Sequence, residues 1–186
     1  MTYTLIGLTG LAGVGKDTVR GILQDEGFTG FAFADPIRSM IRELLTSNGI
    51  DDSYMDNRER KETIIPALGV SYRHLAQTLG TEWGRSLAPD FWLRIAGAYM
   101  DDLAWQGDAQ ASHFVISDVR FENEAAWIRE RGGVIWRVVR HHVAPVRDHV
   151  SESGVLAIKA DEVIFNEGNS IPDLRDTVLD ALKVLA

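Results

Sequence analysis

The sequence predicts a three-layer α/β domain, in which helices cover both faces of a five-stranded parallel sheet. Five short apolar segments alternate with helical segments along the 186 residues, which is the pattern of successive strand-helix-strand crossovers. A glycine-rich turn joins the first strand to the first helix. Hydrophobic residues at 45% and charged residues at 25% are ordinary globular values. A chain of this length and composition therefore forms one domain with a sizeable core.

Short apolar runs between polar or glycine-rich turns define the predicted strands. These are Leu5–Leu8, Gly30–Asp35, His113–Ser117, Val134–Val139 and Glu162–Phe165. Apolar residues at helical spacing define the predicted helices. They run from Lys16 to the left-handed cap Gly27, from Pro36 to Asn48, from Asn123 to Arg131, and onward from the cap Ser170.

The stretch between the second and third strands is longer than a crossover needs. Ile50–Pro66 is polar and lacks an apolar stripe, so we expect an exposed loop or a mobile helix there. Helices are predicted from Ser71 to Gly80 and from the cap Asp90 onward. Because insertions at the strand ends of an α/β fold commonly build the substrate site, we expect this stretch to bind substrate.

Composition excludes several classes of protein. A net charge of −8 disfavours a nucleic-acid polymer as partner. The absence of cysteine excludes disulfides, thiolate zinc sites and cysteine nucleophiles, and it favours a reducing compartment. No apolar run approaches the ~20 residues of a membrane span, and no basic leader precedes the first strand. The sequence thus predicts a cytoplasmic protein without a membrane partner.

Gly10–Thr18 follows the first strand and matches the pattern G-x-x-x-x-G-K. Glycines let the backbone curl so that N–H groups point at an anion, the helix dipole adds positive potential, and Lys16 can reach terminal phosphates. Asp17 stands where a magnesium-binding hydroxyl is usual, and Thr18 comes one residue later. The loop therefore predicts a phosphate site formed by Gly13, Val14, Gly15, Lys16, Asp17 and Thr18.

The magnesium ligand in this loop stays open. Thr18 can supply a hydroxyl, and Asp17 can bind the ion directly or through water, because a carboxylate beside phosphates needs a cation. The helix dipole also favours an acidic residue at Asp17 without any metal. Asp118 ends the third strand, where ligands gather, and is predicted to organise magnesium or the acceptor phosphate. A plain helix cap is its alternative.

Several motifs follow one another in the order found in a known family. They are Gly15-Lys16-Asp17-Thr18, Phe33-Ala34-Asp35-Pro36, Leu79–Arg85, Ser117–Ala125, His149–Glu152 and Asp161–Asn166. Together they resemble the phage-type deoxynucleoside monophosphate kinases over nearly the whole chain. The resemblance implies a P-loop kinase fold with a nucleoside-monophosphate-binding insertion at about 36–107 and a lid at about 140–156.

The resemblance also implies the reaction. ATP with Mg²⁺ is the expected donor, and a deoxynucleoside 5′-monophosphate is the expected acceptor. Homodimerisation is a further family-based expectation, as is the host cytoplasm if the chain is encoded by a phage. Two alternatives stay open: another small P-loop kinase, of the dephospho-coenzyme A or phosphomevalonate type, and a nucleotide-dependent switch ATPase.

Arginines are the natural ligands of an acceptor monophosphate, since a guanidinium can grip phosphate with two bonds. Arg38, in the first turn of the second helix, and Arg85, in the family-like segment, are the candidates. Arg120 follows the third strand and is predicted either to bind phosphate or to pair with Glu122 or Glu124.

The base and the sugar of the acceptor have separate candidates. Trp83 can stack on the base and Gln77 can bind its edge, whereas Trp92 lies at helical spacing with apolar residues and is predicted to be core. Asp35 can bind the sugar, pair with an arginine or cap its helix.

The polar stretch from Arg140 to Ser153 is interpreted as the lid, with a solvated loop as the alternative. Arg140 and Arg147 are expected to act on the transferring phosphoryl group together with Lys16 and Asp118. Three histidines in this stretch lack the spacing of a zinc site. Asn166 and Gly168 follow the last strand and are expected to contact the donor's adenine, although Asn-x-Gly is also an ordinary turn.

Overall fold

The computed structural model describes residues 4–105, 113–140, 150–167 and 170–185. The chain divides into two compact units. We call Met1–Ala32 with Gly97–Ala186 the sheet unit, and Phe33–Ala96 the inserted unit.

Helices and strands follow one another along the chain as the crossover pattern predicts. In chain order they are β1 Thr4–Thr9, α1 Lys16–Asp25, β2 Thr29–Phe31, α2 Asp35–Thr46, a 3₁₀ helix Asp52–Met55, α3 Arg58–Glu62, β3 Ile64–Ile65, β4 Val70–Ser71, α4 Tyr72–Gln77, a π-helix Thr78–Gly84, α5 Arg85–Leu87, α6 Phe91–Trp105, β5 His113–Ile116, α7 Glu122–Glu130, β6 Val134–Val139, α8 Val150–Ala157, β7 Glu162–Phe165 and α9 Ile171–Leu185.

The sheet unit contains a five-stranded sheet in the order β2-β5-β1-β6-β7, and all neighbouring strands in it are parallel. β1 is central, with β5 and β6 on its two sides. This confirms the predicted five-stranded parallel sheet with helices around it. The residues that follow β1, β5, β6 and β7 therefore lie at the carboxyl edge of the sheet, where such folds bind ligands.

Alternation along β1 explains why helices are needed on both of its faces. Ile6 and Leu8 are fully buried in the cluster that includes α1 and α9. Gly7 points the other way, and a Cβ there would lie 2.6 Å from the Cδ1 of Ile128 on α7. A strand that is covered on both faces has a nearly continuous apolar sequence, which is why it was recognisable.

Two local predictions for the second strand and the following polar stretch are wrong. The strand ends at Phe31 and not at Asp35, because Asp35 and Pro36 already form the first turn of α2. The polar stretch is neither a loop nor a single helix but contains a 3₁₀ helix, α3 and β3. Side-chain caps explain these short elements, since Asp51 accepts from the Ser53 N–H at 2.9 Å and Asn57 accepts from the Arg60 N–H at 3.0 Å.

The helix predicted to end at Gly80 continues as a π-helix to Gly84. Trp92 packs beside this π-helix. A Cβ on Gly84 would lie 2.5 Å from the indole ring of Trp92. The indole N–H donates to the Gly80 carbonyl at 2.7 Å. The prediction that Trp92 belongs to the core is confirmed, because it is buried. No helix within the described ranges is long and apolar enough to cross a membrane.

Candidate active site

The glycine-rich loop leaves the carboxyl end of β1 with the backbone geometry that its sequence predicts. Gly10, Gly13 and Gly15 have φ values of 142°, 83° and 104°, which L side chains rarely adopt. Gly15 is the N-cap of α1 and supplies no side chain to its first turn. The N–H groups at the start of α1 therefore have no side-chain cap, and they can bind an anion.

Lys16 lies against the same loop. Its ammonium group donates to the carbonyl oxygens of Gly10 at 2.7 Å and Leu11 at 2.8 Å. The side chain is half-buried, so its charge is held at the loop instead of extending into solvent. A cation fixed beside N–H groups at a helix N-terminus suits the recognition of a polyphosphate.

The acidic and hydroxyl candidates for a metal occupy two places. Asp17 and Thr18 are exposed in the first turn of α1, whereas Asp118 follows β5 and is 8% exposed. The backbone beside Asp118 is tied to β1, because the Val119 N–H donates to the Leu8 carbonyl and the buried Thr9 hydroxyl donates to the Val119 carbonyl at 2.9 Å. In the described part of the chain, no three acidic or histidine side chains converge as a metal-binding group.

Arg120 is exposed. Glu122 and Glu124, its two predicted alternative partners, make other contacts. Glu124 is buried, and its Oε2 accepts from the backbone N–H groups of Arg120 at 2.7 Å and Phe121 at 3.0 Å. Glu122 lies 3.5 Å from Arg129. The Glu124 carboxylate therefore holds the backbone of the turn after β5. The sequence did not indicate this role.

Asn166 makes a contact that sequence reasoning missed. Its side-chain amide donates to the Val14 carbonyl of the glycine-rich loop at 2.8 Å, and its backbone N–H donates to the Val139 carbonyl at 2.8 Å. The contact joins residues 152 positions apart in the chain. Motif spacing carries no signal for it.

The lid candidates are only partly described. Arg140 is exposed at the end of β6. Arg147 and Gly168 lie outside the described residues, and α8 is the described helix of the predicted lid.

In the inserted unit, the predicted acceptor residues Asp35 and Arg38 form an ion pair of 2.6 Å on α2. Asp35 thus pairs with an arginine, one of its three predicted roles, and the N-terminus of α2 has no side-chain cap. Arg38 also hydrogen-bonds the hydroxyl of Tyr72, which is buried at the start of α4. Tyr72 is a second residue that the sequence analysis missed.

The surroundings of Tyr72 are strongly cationic. Burial raises the pKa of its hydroxyl, while the charges of Arg38, Arg42 and Arg73 oppose that rise. Lys61 lies 5.9 Å from the centre of the Tyr72 ring. Carboxylates partner all three arginines: Arg38 pairs with Asp35 as described above, Arg42 lies 3.3 Å from Asp52, and Arg73 lies 2.5 Å from Glu62. This group of cations, which we call the arginine cluster, suits an anionic ligand.

The aromatic candidates are also in the inserted unit. Trp83 is 41% exposed, and its ring packs edge-on against Phe91 at 5.6 Å and tilted against Trp92 at 6.3 Å. An exposed indole ring can stack on a base. Gln77 and Arg85 are half-buried, on α4 and α5 respectively.

Comparison with known proteins identifies the family. The model of the family described as deoxynucleotide monophosphate kinase matches residues 51–178. A putative deoxynucleotide monophosphate kinase of Acanthamoeba polyphaga mimivirus is 30% identical over 189 residues, which cover 96% of this chain and 95% of that protein. The chain belongs to the deoxynucleotide monophosphate kinase family. It is therefore a nucleotide kinase, and the resemblance inferred from the sequence motifs is confirmed.

One further relative is similar in sequence to this kinase, and two solved structures are similar in fold. A deoxynucleoside-5′-monophosphate kinase of Escherichia phage T5 is 31% identical over 125 residues, 63% of this chain and 48% of that protein. A solved Thermus thermophilus protein has a TM-score of 0.54 at 18% identity, with 99% of this chain and 98% of the other covered. A sugar kinase from Janibacter has a TM-score of 0.50 at 17% identity, with 99% and 96% covered. These two structures share the fold.

Proposed function

We propose that this kinase transfers the γ-phosphoryl group of ATP to a deoxynucleoside 5′-monophosphate, giving the diphosphate and ADP. The observation that carries the proposal is the glycine-rich loop at the end of β1, with three positive-φ glycines and Lys16 bound to its carbonyl oxygens. The relatives that are named as kinases of deoxynucleoside monophosphates support the choice of acceptor.

In this reaction an oxygen of the acceptor's 5′-phosphate attacks the γ-phosphorus. The bond from that phosphorus to the bridging oxygen breaks, and ADP leaves with the electron pair. Little covalent work falls to the protein, so its task is to align the two phosphates and to stabilise charge.

The donor phosphates belong to the sheet unit in this proposal. The N–H groups of residues 13 to 18 and the Lys16 ammonium bind them, and Arg140 and Arg147 add positive charge during transfer. The sequence predicts that Asn166 and Gly168 contact the adenine of the donor.

A magnesium ion fits the donor set of the sheet unit, because carboxylate and hydroxyl oxygens are its preferred protein ligands. Asp17, Thr18 and the buried carboxyl group of Asp118 would hold it, directly or through water. The ion would neutralise charge on the donor phosphates. Magnesium keeps several waters and binds through one or two protein groups together with substrate phosphates, so one or two of these side chains would be enough to hold it.

The candidate ligands of the acceptor in the inserted unit form one set, and Arg120 is proposed separately as a phosphate ligand of the sheet unit. Arg38 and Arg85 bind the phosphate of the acceptor, and Asp35 holds Arg38 in place. Trp83, which is exposed, stacks on the base, and Gln77 binds the base edge through its amide.

A transfer assay tests the proposal. Magnesium-ATP is incubated with each common deoxynucleoside or ribonucleoside monophosphate, and diphosphate formation is measured by chromatography. We expect diphosphate from at least one deoxynucleotide and less from the matching ribonucleotide. ATP consumption without diphosphate from any of these acceptors, in folded protein, would instead show a hydrolase or a kinase for another phosphate acceptor.

A further inference from the structure

Asn166 is held at the carboxyl edge of the sheet by its own backbone. It follows β7 directly, and its N–H donates to the Val139 carbonyl at the end of β6 at 2.8 Å. This bond extends the strand pairing by one residue, since Phe165 is already in register with Val139. The side chain therefore starts from a fixed point on a rigid element.

From that point the side-chain amide reaches the glycine-rich loop. Its Nδ2 lies 2.8 Å from the Val14 carbonyl oxygen, which is the distance of a good hydrogen bond. Val14 is 3% exposed and its side chain belongs to the core cluster, so water has little access on that side. Without the amide, a loop carbonyl would lose its partner in a poorly hydrated position.

Peptide geometry gives this bond a consequence for phosphate binding. The Val14 carbonyl and the Gly15 N–H belong to one trans peptide group, in which the two bonds point in opposite directions. A carbonyl fixed toward Asn166 therefore fixes the Gly15 N–H away from Asn166. The next N–H groups along the chain belong to the first turn of α1, which begins at Lys16. The orientation of the Gly15 N–H therefore continues into the N–H groups of that turn.

Gly15 accommodates the approach of Asn166. A Cβ at Gly15 would lie 2.4 Å from the Asn166 Nδ2, a separation that real side chains do not reach. Gly15 thus has two requirements for glycine: its φ of 104° and the amide beside it. The contact between Asn166 and the loop therefore requires both the Asn166 amide and a glycine at position 15.

We propose that Asn166 is a positioning residue of the phosphate-binding loop, whose amide fixes the Val14–Gly15 peptide so that the Gly15 N–H faces the donor phosphates. This role differs from the contact with adenine that the sequence suggested. It rests on the proposed function in one respect, namely that the loop binds the donor's triphosphate.

Binding of inorganic tripolyphosphate and of ATP distinguishes the two roles, because tripolyphosphate has no base. Calorimetry compares the wild type with Asn166→Leu, which keeps the shape of the side chain and removes the donor without adding charge. We expect both ligands to bind about tenfold more weakly to the variant, in step with the loss of one oriented donor. If only ATP binding falls, Asn166 acts on the base and the proposal is overturned; it is equally overturned if neither changes.

A matched control lies in the inserted unit. The Asn48 amide donates to the Leu44 carbonyl at the same distance of 2.8 Å, at the end of α2. Asn48→Leu removes an equivalent bond and should leave both affinities unchanged. Asn166→Ala replaces Asn166→Leu if the latter does not fold, as judged by thermal melting. Failure of the wild type to bind tripolyphosphate would refute the donor site itself, whereas equal binding by wild type and variant would refute only the role of Asn166.

Discussion

The sheet unit and the inserted unit contain two different kinds of candidate anion site. In the sheet unit, consecutive backbone N–H groups and one lysine form the candidate site, within Gly10–Thr18. In the inserted unit, side chains from α2 and α4 meet around the buried Tyr72 hydroxyl, and carboxylates hold them. The first site is contiguous in sequence and made largely of backbone, while the second is dispersed and made of long side chains.

This difference has a physical consequence. Backbone donors at a helix N-terminus lose little conformational freedom when they bind an anion, because the helix already holds them. Arginine side chains lose rotamer entropy unless other groups fix them beforehand. Asp35 and Tyr72 provide that fixation for Arg38. Supporting residues therefore act differently at the two candidate sites: at the glycine-rich loop they orient a peptide group, whereas in the inserted unit they must fix long side chains.

The largest expected effect is that of Lys16→Ala. It removes the ammonium group that binds the loop carbonyls, and we expect kcat to fall on the order of 10²–10³-fold, as when a transition-state donor is lost. Steady-state kinetics measure it, with thermal melting to show that the fold is intact. Lys183→Ala, an exposed lysine of α9 paired with Asp180, is the control and should retain full activity. Substantial activity in Lys16→Ala would show that this loop is not the donor site.

A smaller effect is expected for Arg38→Lys. The charge is kept, but the fork that can hold both Asp35 and a phosphate is lost, so the KM for the acceptor should rise about tenfold while the KM for ATP stays the same. Arg94→Lys is the matched control, because Arg94 forms a similar helix-surface ion pair of 2.9 Å with Asp90. An unchanged KM for the acceptor would show that Arg38 does not bind the acceptor.

The smallest effect belongs to Tyr72→Phe, which keeps the buried ring and removes the hydroxyl bonded to Arg38. We expect the KM for the acceptor to rise about threefold to tenfold, with kcat for the saturated enzyme nearly unchanged, because Arg38 keeps its charge and its bond to Asp35 but loses one hydrogen bond that fixes it. The control is Tyr54→Phe, since the Tyr54 ring lies 4.8 Å from Arg60 and keeps that contact without its hydroxyl. Equal KM values in the two variants would mean that Arg38 needs no support from Tyr72.

The sequence by itself determined what depends on neighbours in the chain. The curl of Gly10–Thr18 follows from its glycines, and the inner strands β1, β5 and β6 follow from apolar runs that are largely buried. The order of motifs was sufficient to indicate the family. The short helices after Asp51 and Asn57 also had a local signal, because each of these residues caps an N–H group two or three residues later. A search for apolar residues at helical spacing does not detect such caps.

Only the tertiary structure decided which side chains support the candidate sites. The bond from Asn166 to Val14 depends on strand order and register, and the bond from Tyr72 to Arg38 depends on how α4 packs beside α2. No sequence motif sets the number of residues between Asn166 and Val14, or between Tyr72 and Arg38. Contacts of this kind arise from packing between distant segments, and local sequence patterns do not encode packing geometry.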